Sequence, residues 1–397
     1  MKKILSLVLA LLMLAVMLPV TAMADEANYC TIEGVEGKFD TLTAAAKAWR
    51  ESKQIVTEGS TLGGHPAELT EVESIVWNIY GTVPAGDGAG VIGTSGSNLS
   101  GGYITPSITI KNVTVNGYNN AIITKTGDPY VSCGANNVAF ANITFEDTMR
   151  NDSNPGSLTF TNCTFKAGLR MPHNRENATL KVENCTFTGE VASDYAIFVQ
   201  GPNGGTMSNV VLSGNNISGY RRGVNVQAGS TATVSITGNT ITNLTGYTEN
   251  DQTYGAAIQL TTGGEFIITN NKIDVNTGNA FRFYSGLDAD VTISDNIIKA
   301  PYLVWNQAEL PNEKITSQDN KLTITNPNKA ATSDGALEDA TVIKAAPTQI
   351  VIITPAGDTP KTEPEKNPTT GANDMVAAAA ALMAVSALGM AVLSRKK

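Results

Sequence analysis

The sequence predicts an all-β chain wound into a parallel β-helix solenoid of about ten turns, with one helix laid over its N-terminal end. Three observations carry this. A short unit recurs: apolar residues alternate, a small polar turn with an Asn or a stand-in follows, and another apolar residue comes two places later. It is clearest at Val234–Asn243, VSITGNTITN. The key positions, Val113, Ile143, Cys163, Cys185, Asn215, Asn239, Asn271, Asn296 and Asn320, lie 20 to 32 residues apart, which suits a solenoid with insertions on some turns. Runs of Val, Ile, Thr and Phe fill residues 104–325, and helix-length periodicity is absent there.

Composition agrees. Only 16% of the 397 residues are charged and 37 are Gly, which favours strands and tight turns over amphipathic helices. The formal charge is −9, and it becomes −13 once terminal segments holding Lys2, Lys3, Arg395, Lys396, Lys397 and Asp374 are removed. Such a surface repels phosphate backbones, so no nucleic-acid partner is expected.

Taken in order, the chain opens with Lys2 and Lys3, an apolar run from Ile4 to Val20, and Ala22-Met23-Ala24. Residues 1–24 are therefore expected to be a signal peptide and the mature chain to begin at Asp25, exported; a retained membrane anchor is the alternative. In Phe39–Trp49, Asp40 or Thr41 is a candidate N-cap, and Leu42, Ala45, Ala46 and Trp49 share one face at helical spacing. That helix would keep water from the open end of the solenoid. Ile75–Val83 reads as the first strand pair, and the Gly- and Ser-rich stretch 84–102 as a surface loop.

In the repeats that follow, stacked turns bring the Asn positions into one file. Each amide can then bond to the next, satisfying buried polar groups that would otherwise cost about 1–3 kcal/mol each. Ten turns at about 4.8 Å per strand give about 45–50 Å. In the first half the same positions hold Val113, Ile143, Cys163 and Cys185, an apolar interior. The copies NCTF at 162–165 and 184–187, GNNIS at 214–218 and GNTIT at 238–242 resemble the right-handed parallel β-helix of the pectin-lyase-like superfamily. That resemblance implies the handedness but not an activity, since the fold carries lyases, hydrolases, tailspikes and adhesins.

Pro355–Lys366, rich in Pro, Thr and charge, cannot bury a core and reads as an extended tether; to the attachment point it spans about 50 Å in polyproline form. Asn367-Pro368-Thr369-Thr370-Gly371 is followed by the apolar stretch Met375–Leu393 and then Arg395-Lys396-Lys397. Nineteen helical residues rise about 28 Å, enough to cross a bilayer core as a transmembrane helix of the precursor. The ordered trio resembles the LPxTG-type sorting signal of Gram-positive cell-wall proteins, with Asn367 in place of the usual Leu. The resemblance implies that a sortase cuts between Thr370 and Gly371 and joins Thr370 to peptidoglycan. The expected organisation is thus signal peptide 1–24, β-helix domain 25–345, linker 346–366 and sorting signal 367–397.

Cys163 and Cys185 fall in one column and read as stacked core thiols, while a Cys30–Cys133 bridge stays open. No Cys-x-x-Cys or His cluster exists, and His65 and His173 are far apart, so neither a metal nor another cofactor is expected. The candidate working surface is the second strand of each turn. Its outward column reads Arg170, Phe198, Asn225, Gln259, Arg282 and Leu303. Beside it run Gln200, Gln227, Thr261, Tyr284 and Trp305, with Arg221 and Arg222 just upstream. Amide, guanidinium and aromatic groups in line could hold an extended glycan. Glycoside hydrolysis instead needs two carboxylates about 5–10 Å apart. The acids here are scattered among Glu146, Asp147 and Asp152, Asp194, Glu249 and Asp251, and Asp288 and Asp290. The expectation is a wall-anchored adhesin or glycan-binding protein. A polysaccharide lyase or hydrolase and a purely structural wall component are the alternatives.

Overall fold

A computed structural model of the chain describes residues 28–58, 61–85, 90–94, 108–124, 131–150, 156–172, 178–189, 194–200, 209–249, 252–325, 330–331, 337–338 and 350–352. The described residues all fall in one compact unit. The expected signal peptide, Pro-rich tether, sorting motif Asn367–Gly371 and apolar stretch 375–393 lie outside the described residues.

Alternating apolar residues build a parallel β-helix. Ten strands stack in register, so that one inward column runs from Ile75 through Val113, Val138 and Leu158 to Ile315. From the third of these strands onward the chain turns into a second short strand, and both belong to one twenty-stranded sheet. A third run of strands forms a separate seven-stranded parallel sheet: 149–150, 169–172, 195–200, 222–227, 256–262, 279–283 and 302–306. The space between is filled by close-packed apolar side chains. Phe165 stacks on Phe145 and Phe187, at 5.1 and 4.6 Å between ring centroids, and meets Phe160 edge-on at 5.4 Å.

The turn between the first and second strands explains the recurring motif. Its first residue has positive φ in every copy: Asn142, Asn162, Asn184, Gly214, Gly238, Asn270, Asp295 and Asp319. Only Gly, Asn and Asp adopt that conformation at low cost. Its backbone N–H reaches the carbonyl of the next coil, as in Gly238 to Thr269 at 3.0 Å. At Gly214, φ is +65° and a Cβ would meet Asn184 Oδ1 at 2.5 Å. Gly214→Ala is therefore expected to cost about 1–3 kcal/mol in urea unfolding, and Gly214→Asn clearly less.

The next residue of each turn points inward and forms the expected file. Asn239 donates both its backbone N–H and its Nδ2–H to Asn271 Oδ1, at 2.9 and 3.0 Å, while Nδ2 also donates to Leu212 O at 2.8 Å. The same pattern links Asn215 to Asn239, Asn271 to Asn296 and Asn296 to Asn320. Cysteines continue it: Cys185 N–H donates to Asn215 Oδ1 at 2.9 Å, and Cys163 N–H to Cys185 Sγ at 3.4 Å. Both are buried free thiols. Cys30 is free and buried too, its thiol pushed up to about 12 by burial. Cys133 sits in the strand Val131–Gly134, with its side chain outside the described set.

Three expectations about the fold are corrected. Val113 does not belong to the file: it pairs with Ile75 and Val138 inside the first strand. The chain instead puts Gly117–Ala121 opposite Asn142 and Ile143, between the pairs Asn116–Ala141 and Ile122–Thr144, so extra residues displaced the apparent register. Glu71–Pro84 is one long strand with a register break after Tyr80, not a strand pair. Within the expected loop 84–102, Gly90–Thr94 is a strand paired with Val131–Gly134. In addition, the β-branched run Ile350–Ile352, inside the expected linker, adds a strand beside Lys321–Ile324.

The helix α1, Leu42–Ser52, starts at Thr41, whose Oγ1 accepts the Ala44 N–H at 3.0 Å. Leu42, Ala45, Ala46 and Trp49 are buried as its spacing requires. Thr43 fastens it by donating its N–H and Oγ1 to Ala85 O, at 3.1 and 2.9 Å. Arg50 is buried with them, and desolvation holds its guanidinium down to about 10.

Candidate functional site

The outer face of the seven-stranded sheet carries the candidate residues. Period-two alternation sends Val224, Val226, Ile258, Leu260, Phe281 and Phe283 into the core, each at most 1% exposed. The residues between them form one column in strict register: Arg170, Phe198, Asn225, Gln259, Arg282 and Trp305. The last member is a correction. Trp305, not Leu303, pairs with Arg282, because Val304 rather than Tyr302 lies over Phe281. A two-residue slip keeps every side chain on its face, so alternation alone does not reveal it. In the flanking column Gln200 pairs with Gln227, but a bulge after Val226 puts Thr262 rather than Thr261 beside Gln227.

Aromatic rings and guanidinium groups gather at the two ends of the column. At one end the Arg170 guanidinium lies 5.5 Å over the Phe198 ring, which stacks on Tyr195 at 5.2 Å. Arg222 covers Tyr195 at 3.9 Å and is held by Asp194, through an Nε–Oδ1 bond of 2.9 Å and an Nη2–Oδ2 ion pair. Arg221, exposed, precedes this strand. At the other end Arg282 lies 4.1 Å over Trp305 and 4.9 Å over Tyr284, with Nε donating to Gln307 Oε1 at 2.8 Å.

Between the ends the amides are tied to neighbouring hydroxyls and turned from the solvent. Tyr195 OH donates to Gln259 Oε1 at 3.2 Å, Gln259 Nε2 to Thr261 Oγ1 at 3.3 Å, and Thr261 Oγ1 to Asn225 Oδ1 at 2.8 Å. Asn225, Gln259 and Trp305 are buried, at 6%, 4% and 6% exposed. The expectation that all of these groups line an open surface is therefore corrected: three of them brace the strip from within. Arg170 and Tyr284 are exposed and Phe198, Gln227 and Arg282 half-buried, so the reachable groups lie mainly toward the two ends. Tyr195 and Gln307 escaped the sequence reading because each stands just outside the aligned strand segment. The Arg-Arg pair at 221–222, which needs a counter-charge on a neighbouring turn, was the available clue to Asp194 and Tyr195.

Residues 148–326, which hold the seven-stranded sheet and the asparagine file, match the family model described as the right handed beta helix region. The fold is a right-handed parallel β-helix. No curated protein and no solved structure matches the chain. Among the described residues of the β-helix, no group of three His, Cys, Asp or Glu side chains converges as a metal site, and no helix is long and apolar enough to cross a membrane.

Proposed function

We propose that this β-helix protein is exported, anchored to the wall of a Gram-positive cell by a sortase acting on Asn367–Gly371, and binds an extended glycan along its seven-stranded sheet. The observation that carries the binding role is the stacking of guanidinium groups on aromatic rings at both ends of one register column. Arg170 and Arg282 stand four rungs apart, about 19 Å at the usual strand spacing. A rigid sheet fixes that separation. A polymer of sugars offers both groups what they recognise: a ring face for Tyr284 and Phe198, and hydroxyl acceptors for the guanidinium N–H groups.

A glycan array with the full chain, run beside an assay for released reducing or unsaturated sugar, tests this. Binding without release is expected, with Tyr284→Ala and Arg170→Ala each weakening it about three- to tenfold. Sugar release that depends on Asp194 and Arg222 would replace binding with cleavage. A chain that retains no glycan at all would point to a structural wall component.

A further inference from the structure

A second surface, on another face of the β-helix, combines an aromatic file with exposed amides. Tyr29, Tyr80 and Tyr118 stand in register across three strands, Tyr29 opposite Tyr80 and Tyr80 opposite Tyr118. Their rings stack at 4.7 and 5.1 Å between centroids, tilted by 24° and 16°. Lys38 closes the outer face of Tyr29, its Nζ 4.2 Å from the ring centroid. Tyr80 covers one face of Tyr118, yet Tyr118 is still 44% exposed, so its other face and rim are open.

The corner beyond that ring is built from asparagines. Asn119 and Asn120 follow directly, both exposed and both at positive φ. Gly117 abuts the carbonyl of Asn142 so closely that a Cβ would lie 2.1 Å from it, which joins this corner to the turn column. Asn142, Asn162 and Asn184 then present exposed side chains on successive rungs, with Asn162 Nδ2 donating to Asn142 Oδ1 at 3.4 Å. Past Asn184 the column has Gly214 and Gly238, and the run of amides ends.

Turn geometry accounts for Gly, Asn or Asp at each of these positions, but not for amides on the rungs beside an open tyrosine ring. Nor does it require the tyrosine file. Each amide offers both a donor and an acceptor, matching hydroxyls that do the same, while the Tyr118 ring offers an apolar face with a polar rim. None of these six residues is charged, which selects an uncharged ligand. From Tyr118 to Asn184 the surface spans three rungs, about 14 Å. We infer that Tyr118 and the exposed asparagines 119, 120, 142, 162 and 184 form a binding site for an uncharged glycan, distinct from the seven-stranded face.

The test titrates the full-length chain with chitohexaose, cellohexaose and mannohexaose, followed by calorimetry and by the near-ultraviolet signal of the stacked tyrosines. At least one of these probes is expected to bind and to perturb the tyrosine signal. Tyr118→Ala should weaken it about tenfold, and the double variant Asn142→Gly, Asn162→Gly about threefold or more. Glycine keeps the left-handed turn, so loss in that variant reports on the amides and not on folding. Tyr284→Ala and Arg170→Ala should leave this binding unchanged. The inference is overturned if none of the three probes binds, if binding survives the Tyr118 and asparagine changes, or if it vanishes with Tyr284 instead.

Discussion

Asn271→Ala is expected to lower the stability of the β-helix by about 3–5 kcal/mol in urea unfolding. Asn271 Oδ1 accepts both the backbone N–H and the side-chain amide of Asn239, and its own Nδ2 donates to Ile236 O and Asn296 Oδ1. All of these groups are buried, so truncation leaves the Asn239 backbone N–H without its acceptor and takes one acceptor from Asn239 Nδ2 and one donor each from Ile236 O and Asn296 Oδ1. Such an orphan costs about 1–3 kcal/mol, and the other lost bonds add to it. Asn271→Cys should cost about half as much, because a sulfur already accepts a backbone N–H at the Cys163–Cys185 rung. A drop below about 1 kcal/mol for the alanine variant would mean that the file is ornament and the apolar columns alone hold the turns.

Phe165→Ala should be at least as damaging, about 3–5 kcal/mol by thermal or denaturant unfolding. The ring is fully buried, sandwiched between Phe145 and Phe187 and meeting Phe160 edge-on. Removing it opens a cavity and breaks three ring pairs, each adding about 0.5–1.5 kcal/mol beyond burial. Neighbouring coils cannot collapse into the gap, because backbone pairing fixes their spacing. Phe165→Leu should lose roughly half as much. If alanine cost no more than a surface change, the tight interior described above would be wrong.

The asparagine file was legible because two demands fall on adjacent residues. One position must tolerate positive φ and the next must bring a buried amide, so GN, NN and DN recur at the same place in successive turns. Where sulfur replaces the amide, NC keeps the first half of that signature. The helix α1 was equally legible, since its apolar spacing and Thr41 cap are local. Register in the long sheet was less so. The insertion at Gly117–Ala121 shifted the apparent alignment onto Val113, and no short-range pattern marks it. On the functional face, alternation told inside from outside but left Leu303 and Trp305 indistinguishable, and could not foresee that Asn225 and Gln259 bond to each other's neighbours. The tyrosine file was invisible for a different reason. It depends on Tyr29 pairing antiparallel with a strand fifty residues away, a contact no periodicity encodes.

The file of amides also has a direction. Every carboxamide from Asn215 to Asn296 passes one hydrogen to the amide of its C-terminal neighbour and another back to a backbone carbonyl of the preceding winding, and its oxygen receives from the N-terminal side. A winding therefore presents the same plug at its top and the same socket at its base, whatever loops it carries elsewhere. Whole windings can accordingly be duplicated or excised between equivalent asparagines without redesigning the joint. Such a molecule can change its length in evolution by simple gene slippage, while its two ends stay as they are.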